Sequence, residues 1–291
     1  MGPRGGRVKV KVEHYMSHPV IVAHPQDNLA RVRNLMLKYK VGHIVVSVDE
    51  RPQGMISRSD FVKLMYNRKW LYKPLTDIKA QDIMSKPVYA ILPTRSVTYA
   101  ARRMLEKSVG SLVIVKDIAT MKITGIITRT DLVRAYSENF EGLHKVGDYI
   151  EKDVQTCSPE HSVFYAIEKV AAGQPVVVVD KGRVVGVVTA RDLAFLSMVA
   201  TGIKKPLRVK GISPRGFETA IKIYPAVMVS EIMDTDVVTV KLEEDLALVA
   251  QIIVRNNVDA LPVTSSSGEL VGVITKYTVL KALRDSSLKK T

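Results

Sequence analysis

A short motif occurs four times in this 291-residue chain, and its repetition constrains the fold more than any other feature of the sequence. Each copy consists of a glycine, two apolar residues and a residue with a hydroxyl group. The copies are Gly54-Met55-Ile56-Ser57, Gly125-Ile126-Ile127-Thr128, Gly186-Val187-Val188-Thr189 and Gly272-Val273-Ile274-Thr275. The glycines are 71, 61 and 86 residues apart, which predicts four copies of one supersecondary unit.

Each motif belongs to a block with the same order of predicted elements. An extended opening segment is followed by a polar turn, an amphipathic helix, two short strands joined by a turn, and a second helix. The hydroxyl residue and the residue three positions later fall at the start of that second helix, where their oxygens are suited to cap free backbone N–H groups. The residues at the later position are Asp60, Asp131, Asp192 and Thr278. The predicted fold class is α/β (α+β), with the order β-α-β-β-α repeated four times.

This pattern resembles the CBS (cystathionine-β-synthase) domain, whose signature is Gly-apolar-x-Ser/Thr-x-x-Asp at the start of its last helix. Four such units resemble two tandem Bateman modules, similar in plan to the γ subunit of AMP-activated protein kinase. The predicted repeats span residues 12–73, 74–142, 143–201 and 223–291. A basic N-terminal tail at 1–11 and a basic linker or insertion at 202–222 complete the predicted organisation.

The resemblance also implies a ligand, because the Ser/Thr–Asp pair of CBS domains contacts the ribose and phosphates of adenosine compounds. An aspartate can accept both hydroxyls of a ribose, and a helix N-terminus favours phosphate. We therefore predict AMP, ADP or ATP as the ligand, and we expect no metal. The predicted pairs are Ser57 with Asp60, Thr128 with Asp131, and Thr189 with Asp192, while Thr275 belongs to a fourth site weakened by Thr278. Plain helix capping is the alternative explanation of the same residues.

Two further groups of residues complete the predicted nucleotide site. Cations beside the motifs are expected to neutralise phosphate; they are Arg58, Arg129, Arg191 and Lys276. The resemblance implies that adenine contacts the partner repeat. The implied contacts are Val88, Tyr89 and Ser111 for the Asp60 site, and Val20, Ile21 and His43 for the Asp131 site.

The positive charge is concentrated in the first half of the chain. Residues 1–146 contain 25 Lys and Arg against 12 Asp and Glu, whereas residues 147–291 contain 18 against 17. This asymmetry predicts a polyanionic partner such as RNA or a ribosomal surface, with a contribution to solubility as the alternative. The predicted contact residues are Arg4, Arg7, Lys9, Lys11, Arg68, Lys69, Trp70, Lys73, Lys204, Lys205, Arg208, Lys210 and Arg215.

Several classes of protein are not indicated by the sequence. No apolar run approaches the ~18 residues of a membrane span and no secretion signal is evident, so we expect a cytoplasmic protein. Cys157 is the only cysteine and is expected to be a buried, inert thiol. His14 and His18 lack the HExxH pattern of a zinc site.

The sequence contains no signature of a catalytic centre, and the repeats occupy the chain, so we expect no enzymatic activity. The predicted function is a regulatory protein that binds adenine nucleotides and couples energy state to a polyanionic partner through its basic first half. One alternative is an RNA- or ribosome-binding factor, acting in translation regulation or stress, that uses the repeats as a scaffold. Another is a regulatory subunit of a kinase or transporter with a protein target. The oligomeric state stays open, and a homodimer is one of the forms considered.

Overall fold

The computed structural model describes residues 10–67, 69–70, 73–196, 207–212, 218–223 and 227–286. The chain divides into two compact units. The first unit contains residues 1–57, 75–154 and 238–291, and the second contains residues 58–74 and 155–237.

The first two repeats contain similar elements in the same order. The first repeat consists of β1 (Val22–Ala23), α1 (Leu29–Lys38), β2 (His43–Val48), β3 (Arg51–Ser57) and α2 (Arg58–Tyr66). The second consists of α3 (Ala80–Ile83), β4 (Ala90–Ile91), α4 (Val97–Glu106), β5 (Ser111–Val115), β6 (Ile123–Thr128) and α5 (Arg129–Asn139).

The third and fourth repeats are separated by a β-hairpin. The third repeat consists of β7 (Gln155–Cys157), α6 (Val163–Ala171), β8 (Val176–Asp180), β9 (Arg183–Val188) and α7 (Ala190–Leu193). The hairpin strands are β10 (Leu207–Ile212) and β11 (Glu218–Ile223), and the fourth repeat consists of α8 (Leu246–Arg255), β12 (Ala260–Thr264), β13 (Leu270–Thr275) and α9 (Lys276–Asp285). Short 3₁₀ helices lie at Val12–His14, Leu75–Asp77, Val146–Asp148 and Val229–Glu231.

Each of the first three repeats has a three-stranded sheet in which the opening strand is parallel to the middle strand and the middle strand is antiparallel to the last. The predicted β-α-β-β-α order is confirmed in these repeats. In the fourth repeat the expected opening strand is reduced to one parallel bridge between Val240 and Val263. The neighbouring position on β12 is Pro262, which has no N–H group to continue the ladder.

The opening segment of every repeat pairs with the last strand of a partner repeat. In each case one residue exchanges two backbone hydrogen bonds of 2.8–3.2 Å with the residue that follows the motif glycine. The pairs are Ser17 with Ile126, Ser85 with Met55, Glu151 with Val273, and Asp234 with Val187. The first repeat thus exchanges opening segments with the second, and the third does so with the fourth. This pairing is the one expected for two Bateman modules.

Helices form further contacts within each unit. In the first unit, α5 packs against α8 and α9, and α4 packs against α9. In the second unit, α2 packs against α6 and α7, and the rings of Phe61 and Phe195 meet edge to face with centroids 5.7 Å apart. Across the described ranges, no helix is long and apolar enough to cross a membrane.

Candidate functional site

The motif of the second repeat places a buried carboxylate at the start of α5. Thr128 is the N-cap residue, and its backbone N–H and its hydroxyl each donate to Oδ2 of Asp131 at 2.8 Å. Asp131 is only 5% exposed. The guanidinium of Arg134 donates to Oδ1 at 2.6 Å, so both carboxylate oxygens have hydrogen-bond partners from the protein.

The third repeat repeats this arrangement at the start of α7. The N–H and the hydroxyl of Thr189 donate to Oδ2 of Asp192 at 2.7 and 2.9 Å. In both repeats the threonine gives its hydroxyl proton to its own aspartate, and in this arrangement the same proton is not available to a phosphate. The capping interpretation is therefore correct for the local structure.

The fourth repeat builds its cap from two hydroxyl groups. The N–H of Thr275 donates to Oγ1 of Thr278 at 2.9 Å, and Thr278 donates its hydroxyl proton to the carbonyl oxygen of Thr275 at 2.8 Å. Thr278 is fully buried. Its hydroxyl group is engaged by the main chain both as donor and as acceptor, and it offers no carboxylate oxygen to a ribose diol.

The residues of the first motif belong to different units. Ser57 ends β3 in the first unit, whereas Asp60 lies in the first turn of α2 in the second. In the second unit, Nζ of Lys63 lies 3.9 Å from Oδ1 of Asp60. The assignment of Ser57 and Asp60 as a ligand pair stays a prediction.

Cations lie at the N-termini of the motif helices, where the helix dipole disfavours positive charge. Arg58, Arg129 and Lys276 are the first residues of α2, α5 and α9, and Arg191 is the second residue of α7. At the start of α5, a bound anion would relieve this unfavourable placement of Arg129.

In the first unit, the starts of α5 and α9 bring several charges together around one aromatic ring. The guanidinium carbon of Arg129 lies 5.7 Å from the centroid of the Tyr277 ring, and Nζ of Lys281 lies 4.8 Å from the same centroid. Lys276, which is 8% exposed, forms an ion pair of 2.7 Å with Asp259. The result is a cluster of three cations, of which Lys276 and Lys281 are paired with the carboxylates of Asp259 and Glu151.

The burial of Arg129 has two consequences. Burial lowers the pKa of Arg129, while the nearby Tyr277 and Asp259 favour its charged form. Its Nε atom is also buried, and no group among the described residues accepts a hydrogen bond from it. A buried donor of this kind is suited to an anionic oxygen.

The residues predicted to surround adenine at the Asp131 and Asp60 sites lie together in the first unit. Val20 and Val88 pack against the apolar cluster formed by Val45, Val113, Val115 and Ile126. Ser111 is buried, Ile21 is half-buried, and the ring of Tyr89 has Nζ of Lys107 5.5 Å from its centroid.

His43 of the first repeat lies close to the signature helix of the second. A methyl group built at Gly110 would be 2.8 Å from Nε2 of His43 and 3.9 Å from the guanidinium carbon of Arg129. His43 and Arg129 therefore flank the same glycine. Their roles toward adenine and phosphate stay predictions.

The predicted polyanion-binding residues have different surroundings. Nζ of Lys69 and of Lys73 lie 4.3 and 5.1 Å from the Trp70 ring, and Lys11 forms a 3.0 Å ion pair with Glu13. Arg208 and Lys210 occupy β10. The other residues lie outside the described ranges: Arg4, Arg7, Lys9, Arg68, Lys204, Lys205 and Arg215.

Sequence reasoning missed two features of potential functional importance. Apart from Ile223, the hairpin β10–β11 lies within the segment 202–222, which was interpreted as a basic linker or insertion. Apolar and basic residues alternate in β10, and a Pro-Arg-Gly sequence precedes β11. The pairing of Arg134 with Asp131 was signalled by their spacing of three residues on one helix.

The described residues include one cysteine, Cys157, and other side chains of the kinds that can hold a metal ion. The expected burial of Cys157 is confirmed, and burial raises the pKa of its thiol to about 11. Within the ranges that the structure covers, no group of three or more His, Cys, Asp and Glu side chains is arranged to hold a metal ion.

Four α/β units that exchange opening segments in pairs, with a threonine cap at the start of the last helix in the second, third and fourth, define a tandem-repeat protein. The profile of the CBS domain matches residues 12–67, 80–138, 146–198 and 229–285. The chain belongs to the CBS domain family.

Known proteins support this placement over nearly the full chain. The uncharacterized protein MJ1225 of Methanocaldococcus jannaschii is 28% identical over 276 residues, which are 90% of this chain and 94% of the relative. Its crystal structure, described as that of a proposed archaeal homologue of the AMP-activated protein kinase γ subunit, matches with a TM-score of 0.75 and 23% identity, covering 94% of this chain and 99% of that one. An uncharacterized conserved protein from Pyrococcus horikoshii matches with a TM-score of 0.62 and 21% identity, covering 94% of this chain and all of that one. These structural matches establish the common fold.

Proposed function

We propose that this protein is a non-catalytic regulator that binds adenine nucleotides at its Ser/Thr–Asp helix starts and transmits their occupancy to a polyanionic partner. The observation that carries the proposal is the start of α5, where buried Asp131 lies two residues after Arg129. The guanidinium of Arg129 lies beside Gly110 together with His43 from the partner repeat.

The chemistry of this helix start suits each part of a nucleoside phosphate. Oδ1 of Asp131 is the oxygen that would accept from ribose hydroxyls, because Oδ2 is occupied by the cap. Nε of Arg129 and the N-terminus of α5 would meet phosphate oxygens. The apolar cluster that contains Ile126, together with Val20 packed against it, would provide a dry surface for adenine.

The proposed sites are those of Asp60, Asp131 and Asp192, and the fourth is expected to be impaired. Thr278 lacks the carboxylate, and its hydroxyl group is already engaged by Thr275. We propose AMP, ADP or ATP as the ligand without a requirement for metal.

Calorimetric titration with AMP, ADP and ATP tests the proposal. Asp131→Asn should weaken nucleotide binding at one site by roughly tenfold or more, because loss of the carboxylate charge weakens its hydrogen bonds to ribose. Asp82→Asn is a matched control, since Asp82 caps α3 by accepting from the N–H of Lys79 at 3.0 Å and is exposed. Absence of heat with every adenosine ligand would contradict the proposal.

A second candidate function, RNA binding, is favoured by the residues that follow α2. Trp70 is partly exposed and carries Lys69 and Lys73 near its ring, while Tyr66 is 63% exposed. Amino groups beside exposed aromatic rings suit phosphate contact combined with base stacking.

Filter binding with labelled poly(U) and with a ribosomal RNA fragment, at several salt concentrations, tests this second function. The double variant Lys69→Glu and Lys73→Glu should weaken binding and reduce the salt slope by roughly 0.7 per lost phosphate contact. Lys152→Glu combined with Lys181→Glu changes net charge equally at exposed positions and serves as the control. Equal losses in both variants would indicate attraction by net charge alone.

A further inference from the structure

We infer that Arg134 controls how the Asp131 site recognises ribose, acting as a latch that a ribonucleotide must displace and a deoxyribonucleotide need not. This inference rests on the proposed nucleotide site. It adds a specificity-determining residue that lies outside the CBS signature.

Arg134 and Asp131 form a short ion pair, and their side chains differ strongly in solvent exposure. Nη2 of Arg134 lies 2.6 Å from Oδ1 of Asp131, and the side chains are 44% and 7% exposed, respectively. The aspartate is therefore fixed inside the fold, whereas the arginine approaches it from the solvent side. Arg134 can leave without unpacking the core, because 44% of its side-chain surface is already exposed.

The latch limits how many hydrogen bonds the Asp131 carboxylate can accept from a ligand. A carboxylate offers about four lone-pair positions. The N–H and hydroxyl of Thr128 use two of them at Oδ2, and Arg134 uses a third at Oδ1. One position remains for a ligand while the latch is closed. One sugar hydroxyl can then be accepted, but a 2′,3′-diol needs a second position and must displace Arg134.

The position three residues after the aspartate differs among the repeats. Lys63 is 3.9 Å from Asp60, a longer separation than in the second repeat. In the third repeat the position is Phe195, which cannot donate to Asp192 and instead packs against Phe61. In the fourth it is Lys281, which forms a 3.2 Å ion pair with Glu151. The short pair between Arg134 and Asp131 thus distinguishes the second site.

The test isolates this site and compares two ligands. Asp60→Asn and Asp192→Asn are introduced together to remove the other proposed sites, and Arg134→Met is added to open the latch. Equilibrium dialysis then measures the Kd values of AMP and of 2′-deoxy-AMP. AMP should bind about tenfold more tightly after Arg134→Met, the gain expected for one recovered hydrogen bond to a charged group, whereas 2′-deoxy-AMP should change by less than about twofold.

A matched control accounts for the lost charge. Arg103 forms an Arg–carboxylate pair with Glu106 at 3.0 Å, with the same spacing of three residues, on α4. Arg103→Met in the same background should leave both Kd values unchanged. If AMP affinity stays constant or falls in Arg134→Met, or if both ligands gain equally, the latch is contradicted while nucleotide binding itself stands. If wild-type protein binds neither nucleotide, the proposed function fails and the latch fails with it.

Discussion

Gly272 of β13 lies directly against Ile150, which belongs to the opening segment of the third repeat. A Cβ atom at Gly272 would overlap the Ile150 side chain and lie 2.7 Å from the carbonyl oxygen of Glu151. The other motif glycines meet corresponding residues: Gly54 faces Met84, Gly125 faces Met16 and Gly186 faces Met233. The motif requires glycine because a partner segment packs closely against it.

Gly272→Ala is therefore expected to destabilise the protein by about 1–3 kcal/mol, as overpacking against the backbone does. Gly125→Ala should cost less, because its nearest neighbour is the flexible end of Met16, 2.9 Å away. Urea denaturation of both variants measures the difference. Equal stability of Gly272→Ala and wild type would contradict the close packing at this glycine.

Thr278→Val is expected to lower the free energy of unfolding by about 1–3 kcal/mol. The substitution leaves the N–H of Thr275 without its acceptor at a buried position. Thr278→Ser keeps the hydroxyl and should recover most of the loss. A Thr278→Val variant as stable as Thr278→Ser in the same denaturation assay would show that the hydroxyl cap contributes little.

Stability should decrease as the pH rises from about 9 to about 11, and Cys157 should account for part of the decrease. Burial raises the pKa of Cys157 to about 11 from an ordinary value near 9. Above pH 9 the thiol ionises in the unfolded chain but stays neutral in the folded protein. Ionisation therefore favours the unfolded state, and the free energy of unfolding falls until the pH reaches about 11. Thermal melting of Cys157→Ala across this range should show a shallower decrease than wild type. Tyr149, whose pKa is raised to about 12, should also lower stability as the pH rises, and Cys157→Ala keeps this contribution.

The residues that follow the C-terminal ends of α1, α4 and α6 have positive φ angles, a conformation that favours glycine. Lys40 and Ser108 follow α1 and α4 with φ angles of 54° and 53°, and the corresponding residue after α6 is Gly173 with φ of 93°. Lys40→Gly should stabilise the protein by roughly 0.5–1 kcal/mol, because glycine adopts this left-handed conformation without steric cost. Gly173→Ala should have the opposite effect. Thermal unfolding of the two variants provides the comparison, and a fall in Tm for Lys40→Gly would contradict the assignment.

The repeat and its element order could be predicted from sequence because both depend on local periodicity and on the spacing of the motif. The reason why the motif needs glycine could not be predicted from sequence. Ile150 and Gly272 are far apart in sequence and meet only when repeats exchange their opening segments. The Thr–Asp caps could be predicted because a hydroxyl residue and an aspartate three positions later suit a helix start. Their role toward a ligand was implied by the resemblance to CBS domains and stays a prediction. The latch at Arg134 required the observed contact, since a spacing of three residues permits an ion pair without requiring one.

The helix start with the buried Asp131 is proposed to bind an adenine nucleotide. Calorimetric titration of AMP into wild-type protein and into Asp131→Asn tests this binding most directly. We expect saturable heat for wild type and loss or marked weakening of one binding event in the variant, with Asp82→Asn unchanged. Identical titrations of wild type and Asp131→Asn, or no heat in either, would contradict it.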